Sequence, residues 1–355
     1  MNRKIWKALG IAVCMLALAA PRAMAGRFVV GMVVQFFKFW DAVEAINQSG
    51  DTENEIVLME NITLDGNYIN YILTNDKTTT TKTTTIKGEG HKISIKSKAE
   101  IKVEGEKTVL NLGANGYDKT LTIDGDTTAA FIVVSGRATA NMYENVTLQN
   151  RQSTGNAYVL VTGSDPVTGS KSVFNMKGGV IEGGSRAVIA KSGATFNMSG
   201  GEIRNCNGGR GSGGGVHVYG ATFVMDGGTI SGCTARNNGG GLYATNQSTI
   251  TISDGIISRC KAQAYNGGGL YAKNSTIKIT GGRIENNKAA LGGGVALIGD
   301  TTFEKPITNW TVIGNEAYAT GGVGGGIKLE NGSMDVSAGS NKIYNNTADG
   351  HGADI

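Results

Sequence analysis

From residue 213 onward the sequence keeps returning to itself. Runs of three glycines begin at Gly213, Gly239, Gly267, Gly292 and Gly324, and each is followed by an aliphatic residue: Val216, Leu242, Leu270, Val295 and Ile327. A second column, Cys206, Cys233, Cys260, Asn287, Asn315 and Asn346, keeps step with the first, and an aliphatic residue stands three places before each member. The third column is an alternating segment, ATFNM at 194, ATFVM at 221, STITI at 248 and STIKI at 275, evenly spaced and in step with the cysteines. Three columns sharing one period define a stacked-repeat architecture.

Within each unit the apolar residues alternate with polar ones, as in Ser248-Thr249-Ile250-Thr251-Ile252. That is the two-residue period of a half-buried strand, and no helical period of similar strength competes with it. A unit of this length holding three short strands and three turns is one coil of a parallel β-helix. One coil cannot bury its own inward side chains, but coils stacked about 4.8 Å apart line up like residues into a continuous core. The spacing predicts Ile250 and Ile252 over Ile277 and Ile279, with Phe223 and Met225 on their other side, and Leu242 and Ala244 over Leu270 and Ala272. A phosphate-binding loop would need a Lys-Ser/Thr or a helix after its glycines. NNGGGLYA instead feeds a strand, so the glycines mark tight corners.

Before residue 170 the pattern loosens, but EIVLMENITLDG at 55, TTTIKGEGHKISI at 83 and KTLTIDG at 119, with FNMKGGVI at 174, read as irregular coils. TTTTKTTT at 78 to 85 reads as a solvated loop leading into a strand. The expected organisation is a signal segment at 1–25, an N-terminal cap at 26–50 and a β-helix at 51–355, irregular over 51–170 and regular over 171–355. About a dozen coils would make a rod roughly 55 Å long. KFWDAVEAINQ at 38–48, with Trp40, Val43 and Ile46 at helical spacing, is the expected capping helix.

Arg3, Lys4 and Lys7, the apolar run Ala8 to Ala20 and Ala23-Met24-Ala25 have the form of an export signal. Cleavage would remove Cys14 and leave a chain that starts near Gly26 and spans no membrane. The apolar stretch FVVGMVVQFFKFW at 28–40 keeps an uncleaved anchor as the alternative. The formal charge of +4 resides in this signal segment, so the remainder is neutral. A neutral chain without a basic stripe excludes a nucleic-acid partner.

GGGLYA, STITISDG and GGRIENNKA resemble the units of secreted bacterial right-handed β-helix proteins of the pectate-lyase-like superfamily. In particular they are similar to the passenger repeats of polymorphic outer-membrane and other surface adhesin proteins, with GGG where those carry GGA. The resemblance spans about residues 50 to 355 and implies an all-β, right-handed, single-stranded parallel β-helix. It also implies an exported protein: secreted, on the cell surface or outer membrane, or periplasmic.

Lyases and hydrolases on this fold need clustered acids or a calcium site. Asp226 and Asp254 lie one coil apart, but their equivalents are Gly200 and Gly281. Asp349-Gly350-His351-Gly352 is similar to a polygalacturonase Gly-His-Gly element without its companion motifs, and His91 lies between turn glycines and a strand. No catalytic residue, metal ligand or cofactor site is expected. The cysteine column reads as a buried stack or as an incomplete disulfide arrangement, with Asn287 and Asn346 forming amide hydrogen bonds between coils. If Leu242 and Ala244 face inward, Tyr243 faces outward, and the same logic exposes His217, Tyr219 and Tyr271. Such a stripe would stack on sugar rings or anchor a protein, or simply stack on itself. The expected function is an adhesin-like binding or structural module for a host or cell-surface protein or glycan; the alternative is a polysaccharide-active lyase or glycoside hydrolase. The last coil, running into Ala353-Asp354-Ile355, offers an open edge for end-to-end association.

Overall fold

The alternation seen in the sequence becomes a stack of parallel strands. The structure, a computed structural model, describes residues 27–30 and 39–354 apart from 66–69, 76–79, 152–155, 166, 306, 332–333 and 335–338. The signal segment 1–25 and Ile355 lie outside these residues. Every named strand pair is parallel, and the described strands form a 20-stranded sheet, a 10-stranded sheet and a 5-stranded sheet. Each strand of the 10-stranded sheet belongs to a different coil, which makes ten coils rather than a dozen. The difference arises because coils vary in length, and several are longer than the regular unit. Ile72 pairs with Lys102, and Ala296 with Lys328, across two of these longer coils.

The inner columns stack as the spacing predicts. Phe174, Phe196, Phe223, Ile250 and Ile277 succeed one another in register, followed by Met176, Met198, Met225, Ile252 and Ile279 two positions along. Adjacent phenylalanine rings lie 5.4 Å and 5.2 Å apart, so the core is aromatic in the middle coils and aliphatic later. Leu242 and Ala244 lie over Leu270 and Ala272, all fully buried. All of these side chains join one hydrophobic cluster that runs the length of the described solenoid.

The turn from the first sheet into the third explains two of the sequence columns together. Asn286 and Asn345 have φ of 56° and 54°, so the first asparagine of each Asn-Asn pair makes the left-handed turn that this residue type tolerates. The second, Asn287 or Asn346, enters the core. Asn287 Nδ2 donates to Ile257 O at 3.0 Å and its Oδ1 accepts the Cys260 backbone N–H at 2.9 Å. Asn315 repeats this arrangement with Ile284 O and the Asn287 N–H, and Asn346 with Val312 O and the Asn315 N–H. Asp354 Oδ1 receives the Asn346 N–H and Nδ2, as a following asparagine of the ladder would. Cys206, Cys233 and Cys260 are free, fully buried thiols whose Sγ atoms lie 3.7 to 3.9 Å from Ile181 O, Ile203 O and Ile230 O. Cysteine therefore contacts the same carbonyl column as asparagine, more weakly. Burial pushes the Cys206 and Cys260 thiols up.

The triple glycines make the next turn, from the third sheet into the second, and pack against the ladder. Gly239 has φ of 65°. A Cβ on Gly240 would sit 2.5 Å from Lys261 N, and one on Gly241 would sit 3.2 Å from Cys260 Sγ. The three positions thus supply a left-handed turn, a crossing of two backbones and room for the ladder side chain.

The N-terminal end departs from the sequence reading in three ways. Residues Arg27–Val30 pair with Glu55–Leu58, so the apolar stretch after the expected cleavage point contributes a strand to the first sheet. Helix α1, Phe39–Gln48, buries Phe39, Ala42, Val43 and Ile46, whereas Trp40 is 46% exposed. Val43 and Ile46 face inward as the spacing predicts, but Phe39 takes the place expected for Trp40. Lys82 is not in a solvated loop but in the strand Lys82–Lys87, buried, with Nζ donating to Ile46 O at 2.9 Å and Ser49 O at 2.8 Å. It satisfies the carbonyls at the C-terminal end of α1 and places a cation where the helix dipole favours one. Among the described residues no helix is long and apolar enough to cross a membrane.

Candidate binding face

The second sheet points alternate side chains away from the core, and its outer face is unusually apolar. Ile189, His217, Tyr243, Tyr271, Ala296 and Lys328 follow one another in register along six coils. The imidazole of His217 meets the Tyr243 ring edge to face, with centroids 4.8 Å apart at 82°. Tyr243 and Tyr271 stack at 5.3 Å and 8°. Tyr271 is only 7% exposed and packs with Ala296 and Ile298, both outward-directed and both buried.

This geometry brings three of the four candidate aromatics together and leaves one aside. Tyr219 pairs with Lys191 and Thr245 two positions along the strand, and stands 51% exposed outside the stack. Nor is the row a fully exposed stripe, because Tyr271 is buried. Its ring faces are taken up by neighbouring side chains, so little aromatic face is left for a sugar ring to cover. What remains outward are ring edges and the Tyr243 side chain, with Lys328 at the end of the row donating to Asn266 Oδ1 at 3.1 Å.

Burial sets the electrostatics here. Burial, helped by the charge of Arg186, pushes the His217 pKa down to about 4, so the imidazole is neutral at neutral pH. Burial pushes the Tyr271 phenol up to about 12, reinforced by Tyr243 and Glu330. Tyr318 lies beside the third sheet, where its hydroxyl donates to Ala262 O at 3.1 Å while Lys261 Nζ lies 5.2 Å from its ring centroid.

Several residues of this region are hard to read in a repeat. Ala296 and Ile298 carry a signal, since VALI at 295–298 is an unbroken apolar run where alternation predicts polar residues, as expected of a strand covered on both faces. On the first sheet, Asn111, Asn141, Asn175 and Asn197 form an outward amide ladder with three successive bonds of 2.8 Å. Its signal is the asparagine of NLG, ANM, FNM and FNM at one strand position.

The other candidates do not converge. Asp226 and Asp254 pair across adjacent coils on the outside of the first sheet, at a register shift, and both are exposed. Among the described residues no three His, Cys, Asp or Glu side chains are grouped to hold a metal ion. His91 and His351 lie in early and final coils, far from each other and from His217.

A family model described as a right handed beta helix region matches residues 167–354, the half of the chain in which the glycine and ladder columns are regular. No curated protein and no solved structure matches the chain.

Proposed function

The chain belongs to the right-handed β-helix family, and from that premise we propose that it is an exported, adhesin-like module whose second sheet docks a protein partner. The observation that supports this reading is the outer row His217, Tyr243, Tyr271 and Ala296, with Ile298 beside it: apolar and aromatic side chains directed away from the core of a fold that has no internal need of them. Aromatic anchors packed at low exposure and surrounded by polar residues are the pattern of an interaction hot spot. A protein suits the row better than a glycan, because a sugar ring needs an open aromatic face and these faces are filled. Ring edges with a phenol hydroxyl suit apolar side chains and backbone carbonyls.

Incubating the purified chain with acidic and neutral polysaccharides separates binding from catalysis. No unsaturated or reducing ends should accumulate, and sustained turnover would overturn the non-catalytic reading. Substituting Tyr243 rather than the buried Tyr271 tests the docking face without opening a cavity beneath it.

A further inference from the structure

At its N-terminal end the outward row begins beside an unbalanced charge. Arg186 pairs in register with Ala157, and its side chain is nine-tenths buried, at 9% exposure. Its Nε donates to Ser212 O at 3.0 Å and its Nη2 to Gly208 O at 3.1 Å. A guanidinium has five N–H donors, and these two acceptors are neutral carbonyls. Arg151, one coil earlier, is fully buried too, but spreads its donors over Ala129 O, Thr128 O and Asn156 O and has Asp126 within electrostatic reach. No carboxylate among the described residues does the same for Arg186; the neighbouring charge is Arg151, of the same sign. A buried cation without a counter-ion is costly.

A second unsatisfied group lies beside it. His217 Nδ1 is shielded from solvent and has no hydrogen-bond partner. The segment 207–213 adjoins both residues: it supplies the acceptors of Arg186, and a Cβ on Gly213 would sit 3.0 Å from His217 Cβ. Gly211 packs directly against Arg186 Nη2, where any side chain would collide with the guanidinium, so this segment forms a thin cover over the charge. Gly209, Gly211 and Ser212 are only partly buried. The other titratable groups around the imidazole are Tyr243 against the ring, Tyr219 on its own strand and Arg210 on the covering segment.

We propose that Arg186 and His217 form an oxyanion site that receives an acidic side chain of the protein partner docked along Tyr243. The identity of the partner's anchor rests on the docking reading above; the anion site itself does not. A carboxylate would accept the remaining guanidinium N–H groups and favour a proton on the imidazole, turning the unsatisfied Nδ1 into a donor. The loss of desolvated positive charge on binding is the source of the affinity.

The test uses the full chain and simple anions. The His217 imidazole signal is followed by NMR through pH titrations with acetate, sulfate or chloride at constant ionic strength. Acetate and sulfate should raise the imidazole pKa saturably relative to chloride, and Arg186→Gln or Gly211→Ala should weaken saturation about tenfold or more, the loss of one charge-assisted contact. If Arg186→Gln disturbs the fold, the Arg186 Nε–H signal in His217→Gln reports the same anion. No anion dependence in either signal overturns the proposal, as does a shift that survives Arg186→Gln. Tyr243→Phe keeps the ring against the imidazole and removes only the hydroxyl offered to the partner, so it should keep the anion titration while weakening the partner, and failure of the site and failure of the docking face are read separately.

Discussion

Replacing Asn315 by alanine tests the asparagine ladder where it is best bonded. The side chain accepts the Asn287 N–H at 2.9 Å and donates to Ile284 O at 2.9 Å, and it also bridges the amides of Asn287 and Asn346 at 3.0 and 2.9 Å. Asn287 and Asn315 have no exposed surface, and Asn346 is buried too. Asn315→Ala strips the Asn287 N–H of its acceptor and Ile284 O of its donor, and each buried polar group left unpaired costs roughly 1 to 3 kcal/mol. The expected loss is about 2 to 6 kcal/mol, with no water able to enter unless the corner opens. Cys233→Ala removes only a weak sulfur contact and a small volume, so about 1 kcal/mol is expected there. Denaturant unfolding monitored by circular dichroism gives the difference, and hydrogen exchange at the Asn287 amide localises it. If Asn315→Ala costs no more than Cys233→Ala, the ladder is filler rather than a hydrogen-bonded structure, and the account of this corner fails.

Acid should weaken the protein through His217. Its folded pKa, pushed down to about 4, lies below the unfolded value near 6.5, so the folded state favours the neutral ring. Stability is therefore undiminished above about pH 6.5 and falls as pH drops toward 4, by about 2 to 3 kcal/mol; His217→Phe should flatten this part of a melting-temperature profile. Gly240→Ala forces a Cβ to within 2.5 Å of Lys261 N and 2.6 Å of Gly268 O, and should produce a local opening detectable by limited proteolysis near residues 236–241. Lys82→Met removes the donor to Ile46 O and Ser49 O, and should raise hydrogen exchange in 39–49 while leaving 216–298 protected.

The parts of this fold that were legible in the sequence are those that repeat. Ile250 over Ile277, and Leu242 over Leu270, follow from period and alternation alone, because stacked coils present the same environment to the same position. Lys82, Arg151 and Arg186 were not legible. Each fills a corner that occurs once, where a loop or helix meets the stack, and a single polar residue in an irregular coil has no second copy to mark it. The exchange of Phe39 for Trp40 at the start of the helical stripe has a similar origin, since both satisfy a short amphipathic pattern and only contact with the first coils decides between them. The aromatic row was half legible. Alternation correctly turned His217, Tyr243 and Tyr271 outward, but the filling of their ring faces depends on the spacing between coils and on Ala296 and Ile298, which the repeat pattern treats as surface.

Binding of beads coated with the purified protein to cell surfaces, before and after the cells are treated with protease or with glycosidases, tests the docking face most directly. Attachment should be abolished by protease and spared by glycosidases. Tyr243→Ala should reduce it about tenfold or more, equivalent to about 1.4 kcal/mol, with unchanged melting temperature, while Lys278→Ala on the first sheet should leave it intact. Attachment that survives both protease and Tyr243→Ala would contradict the assignment of this face as a protein-binding surface.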